Sequence, residues 1–250
     1  MKVSFVIPSY NCAAFLPHAV KSCQEQSHPD IEIVIIDDCS TDMTEQYINW
    51  LLKQGDKRII YRRNGKNMGR SYSRNLGNQI STGGVICVLD GDDLSMPGRA
   101  EWTMKKLKKC QVCYGSATLI NAIGIRNRDL IAQPLNKEKI LKPFDSKTWL
   151  KDLDKDKSVD FHENNIVHST MGFLREIALK YPYSEGLISD LGIDDWELQV
   201  RMIRDGVEFD FIPDIICAYR DHDDTVSKTR DIQKVMNLKS EILTGVGCNP

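Results

Sequence analysis

Residues 85–93 read Val85-Ile86-Cys87-Val88-Leu89-Asp90-Gly91-Asp92-Asp93, an unbroken apolar run that ends abruptly in a glycine and three carboxylates. Apolar residues without polar alternation suit a strand covered on both faces, as in parallel sheets that carry helices above and below. The pattern recurs upstream. Ile31–Ile36 runs into Asp37-Asp38-Cys39-Ser40-Thr41-Asp42, and Val3–Ile7 runs into Pro8-Ser9-Tyr10-Asn11, while Arg58–Tyr61 supplies one more short run. Helix-like segments at Ala13–Gln26, Asp42–Gln54 and Arg70–Ile80 separate them, and this rhythm predicts βαβ units in an α/β domain. Ser40 or Thr41 is expected to cap the second helix, with Glu45 completing a capping box.

Downstream, Gln111–Asn121 reads as a bent strand and Asp194–Asp205 as a helix ending at Gly206. Glu208–Ile212 and Ile215–Tyr219 read as two strands interrupted by Pro213-Asp214, and Arg230–Leu243 as a last helix. The stretch 126–160 is polar, rich in lysine and weakly periodic.

The chain has 250 residues, 41% of them hydrophobic, so it can bury one large core. With 33 basic against 35 acidic residues the net charge is −2, which gives no global field for a nucleic acid. No apolar run approaches the roughly 20 residues that span a bilayer, and the first apolar stretch is interrupted at Pro8 with no cleavage-site pattern. Eight cysteines include two in expected core segments, Cys23 and Cys87, and Cys110-Gln111-Val112-Cys113 lacks a second pair for zinc. A cytoplasmic protein with reduced, buried thiols is expected. Lys105-Lys106 and Lys108-Lys109 read as a solvated helix face, with peripheral contact to an anionic membrane as the alternative.

Ligands of open α/β sheets bind beyond the carboxyl ends of the strands, where the three polar clusters fall. Ordinary turn and cap chemistry accounts for Ser40 and Asp42. Asp90, Asp92 and Asp93 repel one another, and a clefted group of this kind is stabilised by a hard cation such as Mg²⁺ or Mn²⁺ shared with substrate phosphates. Neither a Gly-x-x-x-x-Gly-Lys-Ser/Thr loop nor a Gly-x-Gly-x-x-Gly fingerprint is present.

In order along the chain, Val6-Ile7-Pro8-Ser9-Tyr10-Asn11, Asp37-Asp38-Cys39-Ser40-Thr41-Asp42, Asn67-Met68-Gly69 with Ser73-Arg74-Asn75-Leu76-Gly77, and Leu89-Asp90-Gly91-Asp92-Asp93 resemble the motifs of the GT-A glycosyltransferases of family 2. Asp194-Asp195-Trp196-Glu197-Leu198 is similar to the family's Glu-Asp motif, with Asp in place of Glu at 194, and Tyr219-Arg220-Asp221-His222 with Ser227 extends the likeness. The resemblance implies a GT-A fold, a single Rossmann-like mixed sheet flanked by helices. Within it, 1–95 would bind the nucleotide-sugar, 96–228 the acceptor, and 229–250 would form a helix and tail. It also implies metal-dependent, inverting sugar transfer from a nucleoside-diphosphate donor, UDP foremost, to a hydroxyl of a saccharide, lipid or protein.

On that likeness Pro8, Tyr10 and Asp38 would hold the base, Arg74 would lie near the nucleotide, Asp90 near the ribose, and Asp92 on Mn²⁺ or Mg²⁺. Asp93 stays an alternative to Asp92, and His222 would be a further metal ligand or a diphosphate contact. Asp195 would be the catalytic base, and Trp196 the acceptor-side aromatic, ahead of Trp149, Tyr181 and Tyr183. The polar stretch 126–160 would hold an acceptor loop. Two other readings stand beside this one: a nucleotidyltransferase that makes sugar nucleotides, which here lacks a glycine-rich triphosphate loop, and a non-catalytic binding module of the same fold.

Overall fold

A computed structural model of the chain describes residues 1–141, 166–222 and 231–244. Trp149, Ser227 and the 142–160 part of the polar stretch lie outside the described residues. The first half alternates as expected: β1 (Val3–Ser9), α1 (Leu16–Gln24), β2 (Ile31–Asp37), α2 (Thr44–Lys53), β3 (Ile59–Arg63), α3 (Arg70–Ile80) and β4 (Val85–Val88). β1, β2 and β4 are buried along nearly their whole length, which matches their unbroken apolar sequence. There follow β5 (Leu94–Ser95), α4 (Arg99–Lys106), β6 (Val112–Ile120), β7 (Arg126–Leu130), α5 (Lys137–Leu141), β8 (Gly172–Leu174), α6 (Arg175–Lys180), α7 (Leu187–Asp190), α8 (Asp194–Arg204), β9 (Phe209–Arg220) and α9 (Ile232–Thr244).

Among the described residues the strands form one mixed sheet in the order β3-β2-β1-β4-β8-β6-β9-β5, with β7 pairing to β6. β3-β2-β1-β4 are parallel, whereas β8 enters antiparallel to both β4 and β6. β5, only six residues after β4, pairs with β9 at the far end of that order, so the chain from 89 to 95 runs across the carboxyl ends of the central strands. That crossing places the Asp90–Asp93 segment over the sheet.

Two expectations are corrected. Pro213 does not end a strand: β9 is continuous, and its register against β6 passes from Gly115↔Ile212 to Ser116↔Ile215, so Pro213 and Asp214 bulge out of the ladder. Ser116 Oγ donates to the Pro213 carbonyl at 2.7 Å. Neither Ser40 nor Thr41 caps α2: ahead of the helix Asp42 Oδ1 accepts the Thr44 N–H at 2.9 Å, and Glu45 faces Arg63 at 3.7 Å instead of closing a box. The polar stretch contains structure within its described part, where β7 forms a hairpin with β6 and α5 follows.

The seven described cysteines are free thiols. No described helix is long and apolar enough to cross a membrane.

Candidate active site

The loops after β1 and β2 brace each other. Asn11 and Cys39 take left-handed φ values of 51° and 64°. The Asn11 N–H meets Ser40 Oγ at 2.9 Å, Asn11 Oδ1 accepts the Thr41 N–H at 2.8 Å, and Asp42 Oδ2 accepts the Ala13 N–H at 3.0 Å. Asp37 is fully buried and bound by Arg63, at 2.8 Å, and by the Ser40 N–H. Tyr10 stands on this frame 45% exposed, an open aromatic face beside half-buried Pro8.

Asp38 looks the other way. Its Oδ1 accepts from Asn64 Nδ2 at 2.7 Å and from the Met68 N–H at 2.8 Å, and its Oδ2 accepts from the Gly69 N–H at 2.7 Å. The carboxylate thus organises the 64–69 loop and the start of α3, where Gly69 has φ +89°, a conformation that strains any residue with a Cβ. A base contact expected of Asp38 has only the second lone pair of Oδ2 left to use.

The three carboxylates after β4 occupy different surroundings. Asp90 is partly exposed, and its Oδ1 receives Arg74 Nη2 at 2.7 Å. Burial by itself would raise the Asp90 carboxyl, but Arg74 and His168 together outweigh it and hold the group well below the usual range. Asp92 faces His222, with Oδ2 2.9 Å from Nε2. Asp93 is 1% exposed and turned inward, Oδ1 accepting the Arg220 N–H at 2.8 Å and Oδ2 meeting no donor. Burial, with Asp92 and Asp90 beside it, pushes the Asp93 carboxyl well up. Arg220 pins the segment by donating from Nε to the Asp92 carbonyl at 2.7 Å and from Nη1 to the carbonyls of Asn121 and Ala122.

Arg74 is the joint of the site. Its Nη1 reaches Asp194 at 2.6 Å while Nη2 holds Asp90, and Asp194 also pairs with Arg70 at 3.2 Å and accepts from Ser71. Asp194 and Asp195 open α8, where carboxylates are favoured by the helix dipole. Asp195 is partly exposed; Oδ1 accepts the Trp196 N–H at 2.8 Å, and Oδ2 accepts no hydrogen bond from the described residues. Burial pushes the Tyr219 phenol up, and the charges of Asp93, Asp92, Asp90 and Asp195 push it further, so all four carboxylates act on one point.

The acceptor-side expectation for Trp196 is corrected. Its ring is 4% exposed in a core with Val235 and Ile242 of α9, and Lys239 Nζ sits 4.9 Å over its face, so a sugar has no access to it. Tyr181 is likewise packed, its hydroxyl 2.9 Å from Asp205. Sequence reading missed His168, buried against Tyr183, and it gave no structural part to Arg220. Both are far in sequence from Asp90–Asp93, and the turn before β8 and the end of β9 reach that segment only through the mixed sheet.

Asp92 Oδ2 and His222 Nε2 are a hard oxygen and a borderline nitrogen, part exposed and converging, and this donor pair fits Mn²⁺ or Mg²⁺. No three His, Cys, Asp or Glu side chains converge among the described residues.

The family model "Glycosyl transferase family 2" matches residues 4–180. An uncharacterized glycosyltransferase of Methanocaldococcus jannaschii, MJ1057, is 29% identical over 87% of this chain and 70% of its own length. The chain spans only 31% and 36% of the next two curated relatives it matches. Among solved structures, Staphylococcus aureus TarS 1-349 in complex with UDP-GlcNAc superposes with a TM-score of 0.64 at 14% identity, over 98% of this chain and 71% of that one. The mannosyltransferase PcManGT of Pyrobaculum calidifontis, in complex with GDP-Man and Mn²⁺, gives 0.60 at 18% identity over 86% and 56%. Carrying four ordered motifs on this sheet and matching the family model over most of its length, the chain belongs to glycosyl transferase family 2, sugar-transferring enzymes of the GT-A fold.

Proposed function

We propose that the chain transfers a sugar from a nucleoside-diphosphate donor, with uridine the first base to test, to a hydroxyl of a saccharide, lipid or protein acceptor, with inversion and with Mn²⁺ or Mg²⁺ bound. The observation that carries this reading is the Arg74 bridge, which ties Asp90 on the donor loop to Asp194, the neighbour of Asp195. Asp195 is the residue that takes the proton from the attacking hydroxyl, since it is a partly open carboxylate with one oxygen uncommitted. A single base without a second carboxylate assigned to the sugar suits one displacement, and therefore inversion.

Asp92 and His222 would hold the divalent ion, while inward-facing Asp93 serves the fold. The bound ion supplies charge neutralisation to the departing diphosphate. Tyr10 and Pro8 would offer the base an apolar face, and Asp90 would meet the ribose. The nucleotide sugars named for the TarS and PcManGT structures support this donor class, and the Mn²⁺ of the latter supports the metal.

The test is the release of nucleoside diphosphate from UDP-, GDP-, TDP- and CMP-sugars with Mn²⁺ or Mg²⁺, comparing wild type with Asp195→Asn. Metal-dependent release from one donor, with Asp195→Asn binding that donor but turning it over about 10²–10⁴-fold more slowly, is the expected result. Absence of nucleotide binding altogether, metal present, would sink the reading.

A further inference from the structure

The 3₁₀ turn His168–Thr170 lies directly beneath the acidic segment, and Ser169 Oγ accepts the Asp90 N–H at 3.2 Å. His168 is 8% exposed, with Nε2 3.0 Å from the Tyr183 hydroxyl. Its Nδ1 has no hydrogen-bond partner and lies 4.0 Å from Asp90 Oδ2. Tyr183 is itself buried, its ring edge-on to His168 at 5.5 Å between centroids. The Arg74 guanidinium stacks on the Tyr183 ring 5.5 Å from its centre.

The tautomer follows from these contacts. Burial pushes the Tyr183 phenol up, so it keeps its proton, and the available acceptor is His168 Nε2. With Nε2 accepting, the ring proton of a neutral His168 sits on Nδ1, where it faces a carboxylate. The opposite tautomer would aim a lone pair at Asp90 and leave that buried nitrogen repelled.

We propose that His168 and Tyr183 are positioning residues for Asp90, whose carboxylate is held from one side by Arg74 and attracted from the other by the Nδ1–H of His168, 4.0 Å away. Tyr183 serves both sides, supporting the guanidinium with its ring and setting the imidazole tautomer with its hydroxyl. The unit Asp194–Arg74–Asp90 with His168 and Tyr183 therefore fixes the donor loop relative to the first turn of α8. This inference rests on the proposed donor role of Asp90. It adds a part for a buried histidine that touches no substrate.

The isosteres of histidine separate this role from packing. In His168→Asn the side-chain amide replaces Nδ1, and in His168→Gln it replaces Nε2. The experiment measures UDP affinity and donor KM and kcat, with Mn²⁺, for wild type, His168→Asn, His168→Gln and Tyr183→Phe, alongside thermal unfolding of each. His168→Gln and Tyr183→Phe are expected to weaken UDP binding and raise donor KM about tenfold, through loss of the Nδ1–H attraction that orients Asp90. His168→Asn is expected to stay within about threefold of wild type, since it keeps the donor toward Asp90. Equal losses in Asn and Gln variants that track their melting temperatures, or wild-type KM in the Gln variant, would overturn the positioning role. Wild type that binds no UDP or other nucleoside diphosphate would instead overturn the donor site itself.

Discussion

Asp92 and His222 show how one contact assigns roles that three adjacent carboxylates leave open. In sequence, Asp90, Asp92 and Asp93 are equivalent in kind, and only the surroundings separate them. Asp90 is claimed by Arg74 with His168 beyond it, Asp93 by the Arg220 backbone, and Asp92 turns to His222. If Asp92 and His222 hold the ion, His222→Ala leaves one protein ligand of two. Mn²⁺ affinity measured by calorimetry or by quenching is expected to fall at least about tenfold, with UDP binding in the absence of metal unchanged. An equal loss of metal-free UDP binding would place His222 on the nucleotide instead. Sequence reading marked Asp92, Asp195 and His222 through the resemblance to the family's motifs, and each follows a strand or opens a helix. It mistook Trp196 because adjacency to Asp195 on a helix puts the next residue roughly 100° round the axis, and that direction points into the α9 core.

At the scale of elements, α3 lies so close to the sheet that a methyl group has no room at Gly77. A Cβ there would sit 2.4 Å from Val6 Cγ1 and 3.4 Å from Ile36 Cγ1, both in fully covered strands. Gly77→Ala gains helix propensity of up to about 1 kcal/mol, but overpacking costs about 1–3 kcal/mol. The variant is therefore expected to unfold at lower urea concentration than wild type, and a higher midpoint would show that α3 can lift without loss. The opposite end of β2 carries a second test. Glu32, 4% exposed, accepts from Ser4 Oγ at 2.7 Å and from the Thr82 N–H at 2.6 Å, joining β1 to the turn before β4. Burial raises its carboxyl, but the bonds from Thr82 and Ser4 win and lower it. A carboxyl lowered in the folded state contributes stability that is present above its unfolded value, about 4.3, and is lost as pH falls through the folded value. Glu32→Gln is accordingly expected to cost about 1–3 kcal/mol at pH 7 and less at pH 3, read from urea midpoints at both. The parallel half of the sheet was legible because β1, β2 and β4 are short, unbroken apolar runs and a helix follows each of β1, β2 and β3. β9 was not, since Pro213 reads as a stop unless the bulge against Ser116 is known, and the three-residue β8 and two-residue β5 are too short to carry a period.

For the molecule as a whole, the expected division at residue 95 does not correspond to a break in the sheet. β4 pairs with β8, β8 with β6, and β5 returns to β9, so 1–95 contributes strands to both ends of a continuous ladder. Arg74, paired with Asp90 inside the first half, then reaches α8 through its buried ion pair with Asp194. Such pairs are weak evidence for net stability, because desolvation offsets their attraction, but breaking one leaves an uncompensated buried charge. Unfolding should therefore be a single cooperative event, and a ligand bound at the donor site should raise it as one transition. With UDP and Mn²⁺ each at about a hundred times its dissociation constant, the linkage is about 2.7 kcal/mol for one site, roughly 5–10 °C for a chain of this size. Scanning calorimetry is expected to show one peak that moves by that amount, and to show a smaller shift with UDP and a chelator if the ion carries the diphosphate. In Arg74→Ala, Asp90 and Asp194 lose their common partner, so the ligand-induced shift should shrink more than the melting temperature of the free protein falls. Two resolved peaks, only one of which responds to UDP, would instead mean that the donor loop and the base helix belong to separately folding units.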